Sequence, residues 1–259
     1  MHSFSRTAGS LFVILCGVLA MVVCDGYAQT TLDGSTKQDP STRAIDRGRA
    51  AGEWYVAAFG GYTIGHGFND SAGTGSLSGV NPGNRSLADS AAYGVKIGHY
   101  FPGLWNWLGV EVEGFNSTPH IKQSGAIEGS HLRVTTLGLN LVARMKLWCG
   151  TRRGTGKTQH QNWGPYQDNA YCPIQPYAGL GVGTFFARAS DRDGASSDVA
   201  PGWNVLAGLR YFVNDRIALF GEYKHNLAFL EFPDLEGRGA GFEGWYHASH
   251  IVGGLSLHF

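Results

Sequence analysis

The most regular feature of the sequence is an alternation of apolar with small or polar residues, which recurs in stretches from about residue 53. In the last stretch Ile251, Leu255, Leu257 and Phe259 fall on one face. A repeat of two residues is that of a β-strand, and Gly, Pro, Asn or Asp bound each stretch as they bound strands. The pattern predicts eight strands, at 53-64, 91-101, 107-118, 131-147, 176-189, 202-213, 216-229 and 247-259.

The two faces of the predicted strands differ in a way that indicates where each face lies. In the stretch 216-229, Glu222 and Lys224 share a face with Ala218, and Leu219 and Tyr223 lie on the other. A soluble lipocalin-like barrel, the alternative reading, would enclose its apolar residues. Charges gathered with small residues favour a polar lumen and an apolar band facing lipid. We therefore predict an all-β fold, an eight-stranded antiparallel transmembrane β-barrel.

The predicted connections alternate in length, as a barrel with both termini in the periplasm requires. The turns near Pro102 and at 213-216 are short. The insertion at 148-175 is the exception, because it is long although it should lie in the periplasm. The four longer loops, predicted to be extracellular, are 66-90, 119-130, 190-201 and 230-246.

The N-terminal region resembles an export signal followed by a polar segment. Arg6 supplies positive charge, 11-23 is apolar, and small residues precede an expected cleavage after Ala28. A retained anchor is the alternative, but an apolar run of about 13 residues is short for a membrane helix. We expect a signal peptide at 1-28, a flexible periplasmic segment at 29-52 and the barrel at 53-259 in the outer membrane of a Gram-negative cell.

Two of the four cysteines, Cys149 and Cys172, fall in the expected mature chain. In an oxidising compartment one such pair predicts a disulfide, which would stabilise the fold by roughly 3 kcal/mol in the chain-entropy model. A metal site is the weaker reading, because two cysteines without paired histidines do not supply four ligands. Lipidation at Cys24 is also less favoured, because bulky Val22 and Val23 precede it.

Composition narrows the functional classes. The chain has 39 Gly, 12% aromatic residues, 15% charged residues and a formal net charge of zero. Without a basic field, nucleic acid is not an expected partner. The glycine-rich stretches precede no helix and the histidines lack ligand spacing, so we expect no cofactor and no metal.

Charged residues of the predicted strands should point inward and meet in the lumen. An eight-stranded barrel is only just wide enough for its own side chains, so paired charges should form a plug. A gated ion path is the alternative, and a catalytic role for the carboxylates a weaker one. The predicted set contains three acids and five bases: Lys96, Glu111, Glu113, Arg144, Lys146, Arg210, Glu222 and Lys224.

Three segments resemble the OmpA-like outer-membrane β-barrel superfamily, and the resemblance extends over about 53-259. They are 176-183 (PYAGLGVG), 219-224 (LFGEYK) and 250-259 (HIVGGLSLHF). The resemblance implies the small barrel fold. It also implies that the terminal aromatic residue and the apolar residues before it are read by the outer-membrane assembly machinery. By resemblance, this assembly signal comprises Ile251, Leu255, Leu257 and Phe259.

His247 and Ser249 are a further candidate for catalysis. Residues two apart on a strand share a face, so the imidazole could act as base for the hydroxyl, as in lipid A deacylases. No following strand supplies an acidic partner, and we expect no enzyme.

We expect a structural or surface-interaction role, with the outer loops, above all 66-90, contacting a possible surface ligand. The expected partners are outer-membrane lipid, lipopolysaccharide and the assembly machinery. Two other hypotheses stay open at this point. They are a narrow porin-like passage for small solutes and a lipid A-modifying enzyme.

Deletion of Phe259 tests the assembly signal. We expect a strong loss of barrel in the outer membrane, because the assembly machinery would lose the terminal aromatic ring. Heat-modifiable mobility of the protein from outer-membrane fractions measures it, with Phe259→Tyr as the aromatic control. Unchanged assembly after the deletion would remove Phe259 from this role.

Overall fold

The structure, a computed structural model, shows β-strands joined by turns and a single turn of 3-10 helix at Gly103–Trp105. No helix in the described part is long and apolar enough to cross a membrane. The predicted signal peptide, nearly all of 29-52 and most of 148-175 lie outside that part. The structure describes residues 52–76, 78–79, 86–122, 130–149, 172–190, 195–233 and 240–259. The strands are β1 (Glu53–Gly75), β2 (Ser90–Tyr100), β3 (Leu108–Ser117), β4 (His120–Ile121), β5 (Ser130–Arg144), β6 (Ile174–Ser190), β7 (Ala195–Phe212), β8 (Ile217–Phe232) and β9 (Ala240–His258).

The strands close into a ring in which every pairing is antiparallel. The order is β3-β2-β1-β9-β8-β7-β6-β5, and β3 pairs with β5 to complete the ring. The two-residue strand β4 also pairs with β5, beyond the end of β3, so it prolongs the position of β3 instead of adding a strand. The predicted eight-stranded antiparallel barrel is confirmed.

The seam between β1 and β9 brings the two ends of the barrel sequence together. Its register runs from Tyr55 opposite His258 to Gly75 opposite Ala240. Beyond the ladder, Trp54 and Phe259 exchange two backbone hydrogen bonds of 3.0 and 2.9 Å. We call the end of the barrel that holds Glu53 and Phe259 the terminal end, and the opposite end the distal end.

Burial alternates residue by residue along the wall. On β8, Ile217, Leu219 and Tyr223 are exposed, whereas Glu222 and Lys224 are buried. A strand directs successive side chains to opposite faces, so the exposed set forms the outer wall and the buried set fills the lumen.

Three strands extend further toward the distal end than the sequence pattern predicted. β1 continues to Gly75 instead of 64, β7 begins at Ala195 instead of 202, and β9 begins at Ala240 instead of 247. The predicted loops 66-90, 190-201 and 230-246 were therefore wrong in part. The apolar outward face ends before the strands do, which removed the signal by which the strands were recognised.

The distal half of the lumen is apolar. Phe68 packs edge-on against Phe242, with ring centroids 5.1 Å apart, and Phe232 lies 5.3 Å from Phe242 and 6.2 Å from Phe68. Outside, at the same end, Arg133, Arg188 and Glu231 are exposed. The lumen of the distal extension is therefore packed with apolar side chains, as in a soluble barrel, and the charged side chains of the lumen lie in the terminal half.

The distal core gives a stability prediction. Phe232→Ala removes a fully buried ring, and we expect it to lower the free energy of unfolding by about 3–5 kcal/mol. Phe229→Ala is the matched control, because its ring lies on the outer wall of the same strand. Urea unfolding in detergent micelles measures both. Equal effects of the two substitutions would contradict an apolar distal core.

Candidate functional site

The middle of the lumen holds a network of buried ion pairs. Lys96 Nζ lies 2.7 Å from Glu222 Oε2 and 3.3 Å from Glu111 Oε2. Lys224 Nζ lies 3.1 Å from Glu222 Oε1 and also pairs with Glu113. Glu222 therefore bridges the two lysines. All five side chains are at most 3% exposed, so each charge depends on its partners instead of on water.

The network crosses the full width of the barrel. Lys224 lies on β8 and Glu113 on β3, and these strands are four places apart in the ring of eight, on opposite walls. Tyr55 donates to Glu111 Oε2 at 2.6 Å, and Tyr177 donates to Glu222 Oε2 at 2.8 Å. Side chains from several walls thus meet across the lumen at this level.

Arg210 is buried among tyrosine rings. Its guanidinium carbon lies 4.5 Å from the ring centroid of Tyr55 and 5.1 Å from that of Tyr177. It also donates to the hydroxyl of Tyr100 at 3.4 Å. Because Tyr55 and Tyr177 donate in turn to Glu111 and Glu222, the tyrosines link this cation to the carboxylates of the middle network.

A second group of charges lies at the terminal end. Arg144 forms a two-pronged pair with Glu53, at 2.8 and 2.6 Å, and Glu53 Oε1 also lies 2.7 Å from His258 Nδ1. Arg144 stacks over the ring of Tyr100 at 3.6 Å. Glu53, at the first position of β1, was not among the predicted lumen residues.

Lys146 is only half-buried, and its predicted place in the lumen network stays a prediction. β5 ends at Arg144, and Lys146 follows at intermediate exposure. Backbone pairing with β6 nevertheless continues past Pro176, because Met145 N donates to the Pro176 carbonyl and Leu147 N donates to that of Ile174, at 2.9 Å each. In the contacts given above, four carboxylates face four cations: Glu53, Glu111, Glu113 and Glu222 with Lys96, Arg144, Arg210 and Lys224.

Cys149 and Cys172 are joined by a disulfide, with Cα atoms 4.0 Å apart. The Cys172 carbonyl accepts a hydrogen bond from Gln175 at 3.4 Å, and Gln175 in turn accepts one from Arg144 at 3.3 Å. The bridge is thereby connected to the charges at the terminal end.

Ser249 lies at the centre of a polar cluster on the outer wall. Its Oγ is 2.7 Å from His66 Nε2, 3.0 Å from His225 Nδ1 and 2.9 Å from the hydroxyl of Tyr223. These are its partners among the residues the structure describes. His247, the predicted partner, shares the face, but its ring packs 6.0 Å from that of His225.

Tyr223 and His225 come from β8 and were missed because local spacing does not show the register between β8 and β9. His66 was missed because the last strand was treated as having no following neighbour. Closure makes β1 that neighbour, and it carries His66 to Ser249. The available signal was the closed ring itself, which pairs the first strand of any barrel with its last. In the described ranges no group of three or more His, Cys, Asp or Glu is placed to hold a metal ion.

The residues of the predicted assembly signal all lie on the outer wall. Ile251, Leu255, Leu257 and Phe259 are between 46% and 66% exposed. They form one row of an apolar band, which ends in aromatic residues at both ends. These are Trp105, Trp107 and Trp148 at the terminal end and Tyr62, Phe229 and Trp245 toward the distal end.

Comparisons with solved structures identify the fold. OprG of Pseudomonas aeruginosa matches with a TM-score of 0.50 and 14% identity, over 82% of this chain and 97% of its own. This chain has the fold of the small outer-membrane β-barrels. Neisserial surface protein A matches at TM-score 0.45 and 15% identity, covering 80% and 99% of the two chains. Ail of Yersinia pestis matches at 0.40 and 13%, also covering 80% and 99%. No family model and no curated protein matches the sequence.

The fold assigns the two surfaces of the wall. In barrels of this fold an apolar band is the surface that meets hydrocarbon, with aromatic residues at the two interfaces, and the outer wall of this chain carries such a band. The resemblance to the OmpA-like superfamily is confirmed at the level of fold. The role of the last strand in assembly stays a prediction.

A double-mutant cycle across the lumen measures the coupling of the network. Glu113→Gln alone leaves the buried Lys224 with less compensation, and we expect a loss of about 3–5 kcal/mol in unfolding free energy. Lys224→Met should cost a similar amount by disturbing the carboxylates. The double variant should cost clearly less than the sum of the two.

The matched control for this cycle is Arg188→Gln on the exposed wall, which should change stability by no more than about 0.5 kcal/mol. Urea unfolding in micelles supplies all four values. Additive effects of Glu113→Gln and Lys224→Met would show that the two side chains are not coupled in the folded barrel.

Proposed function

We propose that this protein is a closed outer-membrane barrel with a structural or surface-interaction role, working through its outer wall and distal end instead of its lumen. The observation that carries the proposal is the pairing of Lys224 with Glu113 across the barrel, joined through Glu222 to Lys96. A solute following the axis would have to break this network, and each separated buried charge costs several kcal/mol.

The distal end supports a role in contacts outside the membrane. Its strands continue past the apolar band around a core of Phe68, Phe232 and Phe242, so the projecting part is held by packing as well as by backbone pairing. We place this end outside the cell and both termini in the periplasm, which agrees with the short turn at 213–216 on the terminal side.

Two like-charged pairs mark the wall where the apolar band gives way to the distal extension. Arg133 stands directly opposite Arg188, and Glu231 stands directly opposite Glu243. Like charges facing each other across a ladder repel and do not stabilise the sheet. The arginine pair suits anionic groups, such as the phosphates of lipopolysaccharide, and makes this rim the contact region we favour for an outer-leaflet partner.

Planar-bilayer recording tests the closed lumen. We expect the wild-type barrel to show no large, stable open channel, because the ion network fills the cross-section. A variant with Lys96, Glu113, Glu222 and Lys224 all changed to Ala, which removes the crossing side chains, should conduct if it folds, as judged by heat-modifiable mobility. Arg133→Gln with Arg188→Gln, outside the lumen, should stay silent. Stable channels in the wild type would overturn the proposal and favour the narrow passage for small solutes.

A further inference from the structure

The polar cluster around Ser249 lies within the lipid-facing band, not beyond it. On the terminal side, the next outward pair in register is Tyr223 with Ile251. On the distal side, Leu227 stands opposite His247, and the ring centroids of Phe229 and Trp245 are 5.4 Å apart. Apolar side chains therefore flank the cluster on both sides. Polar and ionisable side chains facing hydrocarbon are costly and mark functional sites more often than structural ones.

The depth of the cluster can be estimated from the strand. His225 follows Ile217, the first outward residue of β8, by eight positions. At about 3.3 Å per residue and a tilt of about 40°, this corresponds to roughly 20 Å along the membrane normal, within a band about 25 Å tall. With the distal end outside the cell, the cluster lies in the outer leaflet near the boundary between acyl chains and headgroups. Acyl ester groups of membrane lipids lie at that boundary.

A β-bulge directs His66 onto Ser249. The register between β1 and β9 shifts between Gly65 and Gly67, so His66 is the extra residue of the first strand. Gly67 has a φ of 140°, which an L side chain rarely adopts. Bulges re-aim side chains and are frequent next to active sites. Here the bulge places Nε2 of an exposed imidazole 2.7 Å from a hydroxyl that is itself covered by its neighbours.

The partners of Ser249 have the chemistry of an activated nucleophile. A hydroxyl offers one donor and two acceptor sites, so three partners saturate it. The shortest contact is to His66, which suits the imidazole that accepts the hydroxyl proton. The contact to His225 is the longest, at 3.0 Å, and is the one an approaching carbonyl can replace most easily. Displaced from Ser249, the N–H of His225 would join the hydroxyl of Tyr223 as a donor available to the carbonyl oxygen.

We propose that Ser249, with His66 as general base, forms a serine hydrolase site that cleaves acyl esters of lipids in the outer leaflet. Ser249 Oγ attacks the ester carbonyl carbon while its proton passes to His66. The carbon–oxygen bond to the lipid alcohol then breaks, and the alcohol leaves with that proton. Water, deprotonated by His66, attacks the acyl carbon of the acyl-serine. The bond from that carbon to Ser249 Oγ breaks, the fatty acid is released, and His66 returns the proton to Ser249 Oγ. The proposal is independent of whether the lumen is closed.

An alkyl fluorophosphonate, which phosphonylates activated serines, is the first test on the full-length barrel in micelles. We expect covalent labelling at Ser249, identified by peptide mass, and none in Ser249→Ala. Ser256→Ala is the matched control and should label like wild type. Its hydroxyl also contacts a histidine, His258 Nε2 at 2.9 Å, but inside the lumen. Absence of labelling at Ser249 in folded wild-type barrel would overturn the proposal.

The labelling rate distinguishes a role of His66 as general base from a purely structural role. His66→Ala should slow labelling by at least about 100-fold, the usual contribution of a general base. Because His66 is exposed, added imidazole should restore a measurable part of the rate. Labelling of His66→Ala at the wild-type rate would exclude it as the base.

Vesicles separate the lipid sources. Fatty-acid release is measured by mass from vesicles of ester-linked phosphatidylethanolamine and from vesicles that carry lipopolysaccharide in an ether-linked lipid. Release from the first identifies a glycerophospholipid substrate, and release from the second alone identifies an acylated glycolipid. Release that persists in Ser249→Ala, or no release from either vesicle, would overturn the hydrolase assignment. Neither result bears on bilayer conductance, so the closed lumen is judged separately.

Discussion

Closure of the sheet through the β1–β9 seam is the constraint on which the rest of the structure depends. An open sheet in hydrocarbon would leave a row of unpaired backbone groups, each costing several kcal/mol, whereas a closed one leaves none. Closure also fixes the register, from Tyr55 opposite His258 to Gly75 opposite Ala240. A slip of one residue would exchange the two faces of a strand and turn Glu222 and Lys224 toward lipid. The seam and the buried charges therefore specify the same arrangement.

The lumen changes its character along the barrel axis, in step with what surrounds the wall. Where the outside is apolar, the inside holds ion pairs such as Lys96 with Glu222. Where the outside carries Arg133 and Glu231, the inside is packed with phenylalanine rings. Rings such as Phe59 and Phe220 lie among the ion pairs, so the lumen changes from mixed to apolar while the outer wall changes from apolar to charged. This partial inversion lets one continuous sheet cross the membrane and continue beyond it.

The same inversion explains what could be predicted from the sequence. Within the apolar band, alternation predicted the number of strands and the inward-facing charged residues from Lys96 to Lys224. It did so because every second residue there is apolar and faces outward. The strands were cut short where the rule reverses, at 64 on β1 and 247 on β9. Counting alternation past Arg144 put Lys146 in the same set, but Lys146 follows the end of β5 and is only half-buried. Glu53 was missed because a residue at a strand end has no alternating neighbour before it.

The cluster on the outer wall shows a different limit of sequence reasoning. His66 and Ser249 are 183 residues apart and become neighbours only because the ring closes. Local spacing instead selected His247, which shares a face with Ser249. A polar group on this face must be compensated by its neighbours because lipid offers none. Three histidines, a serine and a tyrosine hydroxyl cost free energy on this face. The cluster does not offset that cost by stabilising the wall, since apolar residues would pair equally well at these positions. The lumen charges, by contrast, pair with one another inside the barrel, where lipid does not reach them. Residues that act on lipid are therefore expected on the outer wall.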